Sequence, residues 1–181
     1  MTALFYFLCL FAFLGSVDIG YFHIYRYRLC RVPASRGEQI THLLRSLLFL
    51  ATLFWVMHVD GRGPASLALP GLLRADLVNS MIDVLLEPAS RQELGGLPPL
   101  EYAVHMLTMF LSGAILTLAV LDTLGRVHQA PALQLGRLGV PRLWLAVGWQ
   151  ILIGTAGFCL FEAAGFLRAC LRSPAAPEGR R

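Results

Sequence analysis

The chain has 181 residues, 56% of them apolar and only 14% charged, with a mean hydropathy of +0.63. Soluble domains are about 45–50% apolar and about 25% charged, so the composition excludes an ordinary soluble domain and predicts an all-α integral membrane protein. All fifteen basic residues are Arg and the net charge is +4; they lie at segment ends, where positive charge sets membrane orientation, and predict no nucleic-acid partner.

The first span is read from Ala3 to about Tyr27. It has no basic leader and no small-x-small cleavage site, and it runs into Asp18 and His23, so it reads as a retained span rather than a signal peptide. The second runs from about Thr41 to Val59. The next segment, about 67–87, carries Leu69, Leu72, Leu73, Leu77, Met81, Val84 and Leu85 at helical spacing. Arg74, Asp76, Asn79 and Asp83 fall among them, and Pro88 is expected to end it. It reads as a fifth, short helix that crosses, re-enters or lies at the interface. The remaining spans are Glu101 to Leu124 and about Leu143 to Leu167, each about the 20 residues a bilayer requires. The expected organisation is a single transmembrane bundle, 1–170, and a disordered C-terminal tail, 171–181.

Arg26, Arg28, Arg31 and Arg36 follow span one, and Arg168, Arg172, Arg180 and Arg181 follow the last span. Both groups argue for the cytoplasm, which requires an odd number of passes and favours a crossing or re-entrant 67–87. Arg126, Arg137 and Arg142 argue the other way. An all-arginine cation set suggests a high-GC bacterial genome, hence a bacterial inner membrane. Cys9, Cys30, Cys159 and Cys170 form no C-x-x-C pair and read as small buried hydrophobes.

Two stretches, 18–42 and 83–105, carry the same polar series. The first is Asp18, His23, Glu38, His42; the second is Asp83, Glu87, Glu101, His105; the offsets are 65, 64, 63 and 63. Each ends in Glu-x-x-x-His, which puts an oxygen and a nitrogen on one helix face. Asp18 and His23 are five apart, about 140° round an ideal α-helix, so the pair requires a local unwinding near Gly20 or supplies only one ligand. The tetrapeptide PASR, at 33–36 and 88–91, is out of register with the series and carries no weight.

Ionisable groups at membrane depth are costly and mark functional sites. Five carboxylates and three imidazoles without thiolates suit iron, manganese or zinc. The arrangement follows the ligand logic of soluble di-iron bundles, with i+4 in place of i+3 spacing. The expected ligands are Asp18, His23, Glu38, His42, Asp83, Glu87, Glu101 and His105, holding two divalent ions, foremost iron. Arg45, Tyr21 and Tyr102 are expected around them. The expected function is a dinuclear metal oxidoreductase acting on an acyl chain, isoprenoid or quinone, with membrane lipids and an electron-donor protein as partners and the site toward the cytoplasm.

Alternatives are a small b-type cytochrome with haem on His42 and His105, a zinc-dependent lipid hydrolase or transferase, and a non-catalytic membrane subunit. In that last case the acids are helix-end charges paired with Arg26, Arg36 and Arg91. His58 and Asp60 read as outer-interface residues and His128 as a surface residue. Asp122 and Glu162 are expected to pair internally or cap a polar pocket.

Overall fold

The computed structural model describes residues 1–29, 32–92, 95–136 and 138–172. The expected tail falls mostly on 173–181, outside the described residues, as does Cys30. The first helix, α1 (Thr2–Val17), runs without a break into a π-helical stretch, Asp18–Arg26. Then come α2 (Arg36–His58), α3 (Ala68–Arg91), α4 (Pro99–Leu124) and α5 (Arg142–Arg172). Leu, Ala and Phe dominate these helices, and a helix satisfies its own backbone where no water can.

Four helical segments are long and apolar enough to cross a membrane: Thr2–Arg26, Arg36–His58, Pro99–Leu124 and Arg142–Arg168. Their outer faces are apolar: Phe13, Leu47, Phe110, Leu121, Ile153 and Leu160 are all exposed. Contiguous apolar surface on this scale belongs against lipid.

The third helix is inside out. It buries Asp76, Asn79, Ser80, Asp83, Glu87 and Ser90, and exposes Val78, Met81, Ile82, Val84 and Leu85. At 24 residues it is about 36 Å long, so it is not short. It also runs through Pro88, which the sequence reading had placed at its end. Proline deletes one N–H, but the last turn is held from outside: Ser90 donates to Glu38 Oε2, and Arg91 Nη1 donates to the same oxygen at 2.8 Å. The α3 helix lies along α2 through Arg45–Asp76, Thr41–Asp83 and Arg91–Glu38 contacts, so it connects one end of the bundle to the other.

The apolar core fills one half of the bundle. Leu4, Phe5 and Leu8 of α1 meet Leu53, Val56 and Met57 of α2 and Ile115 and Ala119 of α4. Beyond it, at the ends of α2 and α4, is a feature the hydropathy pattern does not announce. Strand β1 (Val59–Arg62) pairs antiparallel with β2 (Ala132–Leu135), Val59 opposite Leu135. Gly63 follows β1 at φ 61°; a Cβ there would lie 3.0 Å from Gln129 O and Pro131 Cα, so only glycine fits. Cys9 and Cys159 are half-buried, but Cys170 is exposed, against the expectation of burial.

Candidate metal centre

The other half of the bundle is polar. Asp18, His23, Glu38, His42, Asp83, Glu87 and Glu101 are each under a tenth exposed, and His105 lies beside them with its side chain 16% exposed. All eight residues come from the same end: the π-helical stretch, the start of α2, the end of α3 and the start of α4.

The unwinding that Asp18 and His23 require is present. In a π-helix the hydrogen bond runs i→i+5, so residues five apart fall one above the other. His23 Nε2 lies 3.9 Å from Asp18 Oδ1. The same nitrogen is 3.8 Å from Glu38 Oε1 and 3.5 Å from Glu101 Oε1. The rings of His23 and His42 are 4.4 Å apart.

Two groups result, and they share His23. Asp18, His23, Glu101 and His105 offer ligand atoms that all lie within 4.8 Å of one another, as do His23, Glu38 and His42. This buried set of imidazoles and carboxylates can hold a metal ion. Metal–nitrogen bonds of about 2.0–2.1 Å put neighbouring ligands about 3.0–3.5 Å apart; the three carboxylate oxygens facing His23 Nε2 lie at or somewhat beyond the upper end of that, outside the usual hydrogen-bond distance. Among the described residues, Glu38 Oε1, Glu101 Oε2 and both ring nitrogens of His42 are buried without a hydrogen bond. Buried polar atoms are normally satisfied, and these acceptors fit a site made for a cation; Arg91 Nε is unbonded beside them, and Arg45 Nε, Asp76 Oδ1 and His58 Nε2 elsewhere.

Asp83 and Glu87 fall outside those two groups. They face the histidines instead. Glu87 Oε1 is 2.7 Å from His105 Nδ1, and His105 Nε2 is 3.0 Å from Asp18 Oδ1. Asp83 Oδ2 is 3.5 Å from His42 Nε2, and its other oxygen accepts from Thr41. Thr41 is itself fixed by Asn79, which donates to its carbonyl at 2.8 Å.

The repeat has a spatial counterpart. His105 with Asp18 corresponds to His42 with Asp83, each a contact between the two halves. His105 with Glu87 corresponds to His42 with His23, each within one half. Between the halves lies Arg91, whose Nη1 donates to Glu38 and Nη2 to Glu101, the matching glutamates of the two series. Nη2 is also 3.2 Å from His23 Nε2. Arg91 is 1% exposed and was expected only as one of several headgroup-level partners. It lies in the second PASR, which carried no weight in the sequence pattern and which delivers both Ser90 and Arg91 to Glu38.

Of the residues expected around the ligands, Arg45 is in place: Nη2 donates to Ser80 at 2.6 Å and Nη1 is 3.7 Å from Asp83. Tyr21 and Tyr102 are not. They are 42% and 55% exposed, and Tyr21 stacks on Tyr25 at the surface. Both follow a ligand closely in sequence, but helical rotation turns them outward. Arg26 bonds Tyr27 rather than a cluster acid. His58 packs between Phe54 and Trp149, and His128 is exposed.

Comparison with protein-family models, with curated proteins and with solved structures finds no match.

Proposed function

We propose that the chain is an integral-membrane oxidoreductase with a dinuclear metal centre, foremost di-iron, acting on a lipid-soluble substrate. The observation that carries the reading is the pair of ligand groups joined at His23. Asp18, Glu101 and His105 would hold one ion and Glu38 and His42 the other; His23, whose Nε2 faces both groups with a single lone pair, would complete only one of them. Glu87 and Asp83 would orient His105 and His42, as carboxylates do for metal-bound imidazoles. Arg91 holds one oxygen each of Glu38 and Glu101 and leaves the other free of hydrogen bonds.

Charge supports the same reading. Among the described residues, the five carboxylates meet Arg45 and Arg91, and His105 lies with a ring nitrogen against each of Asp18 and Glu87, so the acids outnumber the cations they meet. Burying the excess acids uncompensated is costly; divalent cations offset them. An iron pair supplies oxygen activation and redox chemistry. The protein residues fix the ligands, exclude water and hold protons on the imidazoles.

A lipid-facing α3 gives five passes. That puts the arginines after span one and those after α5 at the cluster end, so the site faces the cytoplasm. The haem alternative draws no support, because the cavities that touch His42 and His105 are only about 100 and 20 Å³. The pairing of Arg91 with Glu38 and Glu101 favours one rival, a purely structural charge network.

Metal content by mass spectrometry on detergent-purified variants separates the two. His42→Ala and His105→Ala should each lose bound metal while the protein remains inserted; His128→Ala should keep it. Equal metal in all three would leave the charge network as the better reading. A Soret band in the visible spectrum of the same sample would restore the haem alternative.

A further inference from the structure

The fifth helix belongs to neither repeat, yet it carries a half-buried acid, Glu162, whose Oε2 is buried without a hydrogen bond. At its start α5 is pressed against the bundle: a Cβ on Gly148 would lie 2.8 Å from Met57 Sδ and 2.9 Å from Phe5 Cε2. Further along, Cβ atoms on Gly154, Gly157 and Gly165 would meet nothing within 4 Å. Thus α5 stays on α2 but parts from α1, and a seam opens between them.

Two cavities follow one another along that seam. The first, about 320 Å³, lies between Ile19 and Gly20 of the π-helical stretch, Phe49 of α2, and Gly154 and Phe158 of α5. The second, about 100 Å³, lies between His23, Glu38 and His42 of the cluster and Phe161, Glu162 and Gly165. On α5 the lining positions 154, 158, 161, 162 and 165 keep helical spacing, so one face borders both. Pockets that bind small ligands begin at about 300 Å³.

We infer that this seam is a lipid-binding site for a single-chain lipid with a hydroxyl at its polar end, the chain in the larger cavity and the polar end beside the cluster. The inference rests on the metal reading for its chemistry, but the binding site does not require it. The larger cavity is bordered mostly by apolar groups, Phe11, Ile19, Phe49 and Phe158 among them, which suits a hydrocarbon chain; Arg45 and Ser46 lie at its wall as well. The smaller is at the bundle end, where a headgroup lies. There Glu38 and His42, both almost fully buried and proposed to hold metal, form one wall, and Glu162 opposite presents Oε2 with no hydrogen-bond partner. Gln39 on the same wall already donates to Leu29 O and Ser35 Oγ. A group that donates a hydrogen bond satisfies Glu162; a carboxylate head sets like charges side by side. Glu162 is therefore a positioning residue for the polar end.

A diazirine-bearing long-chain alcohol, photolysed with metal-loaded protein in nanodiscs and mapped by peptide mass spectrometry, tests this. Labels should concentrate on Phe49, Phe158 and their neighbours. Gly154→Leu should cut that labelling about tenfold, a modest loss on the affinity scale, while metal content stays unchanged. Gly15→Leu fills the seam from the α1 side, again with no Cβ clash, and covers the case in which Gly154→Leu fails to fold. Glu162→Gln should remove the preference for the alcohol over the matching fatty acid. Labels spread evenly over the lipid-facing helices, or unchanged in both glycine variants, would overturn the inference and leave the metal reading standing. Seam labelling in a protein that holds no metal would support the lipid site and overturn the metal reading instead.

Discussion

The two ends of the bundle both carry charge, and they carry it differently. At the ribbon end Asp60 accepts from Arg62 at 2.7 Å and from Arg126, and Arg126 also meets Asp122 at 2.7 Å. Two acids face two arginines, part exposed. In the buried cluster, among the described residues, five acids share Arg45 and Arg91, and the groups are buried. A crevice of about 820 Å³, larger than either seam cavity, is at the ribbon end among the matched charges, so size does not mark the site here. The mark is unmatched, buried charge. Paired surface charges contribute little, whereas a buried group that loses its partner costs several kcal/mol.

That contrast can be broken at its centre. Arg91→Met leaves Glu38 and Glu101 buried without their shared cation, and should cost about 3–5 kcal/mol in a detergent melt of metal-free protein. Arg126→Met, at the ribbon end, should cost under about 1 kcal/mol. Equal losses would show that the cluster is no more dependent on its counter-charge than the surface is.

The apolar half gives a second contrast. Gly148→Leu drives a side chain into Met57 and Phe5, and overpacking of this kind costs about 1–3 kcal/mol. Gly154→Leu, six residues on, should leave the melting temperature nearly unchanged.

The smallest expected effect is at Asp60. Arg62, then Arg126, hold its carboxyl below the usual carboxylate range. A depressed folded pKa gives stability that is present above the unfolded value, about 3.9, and is lost as pH falls through the lower folded value. An acid titration should therefore show a small loss of stability below about pH 4 that Asp60→Asn abolishes.

The spans were legible because each is a long apolar run. The π-helical stretch was legible as a misfit: Asp18 and His23 carry the right chemistry at a spacing that an α-helix cannot use. The end of α3 was not. Pro88 is a strong local stop, and its effect was overridden by bonds from Ser90 and Arg91 to Glu38, 52 and 53 residues away. Arg91 escaped for the same reason, since nothing local shows that an arginine after a proline is buried between two helices. Tyr21 and Tyr102 were placed by nearness in sequence, where rotation about the helix decides. The ribbon joins two four-residue strands from distant loops, too short to carry an alternation.

The most direct test of the account is the binding of manganese(II) to purified metal-free protein, read by metal analysis and electron paramagnetic resonance together. The account predicts about two ions per chain, as in carboxylate-bridged bundles, with a spin-coupled signal that His23→Ala abolishes. Retention of no metal by the wild-type protein, or uptake of manganese unchanged by His23→Ala, would contradict it.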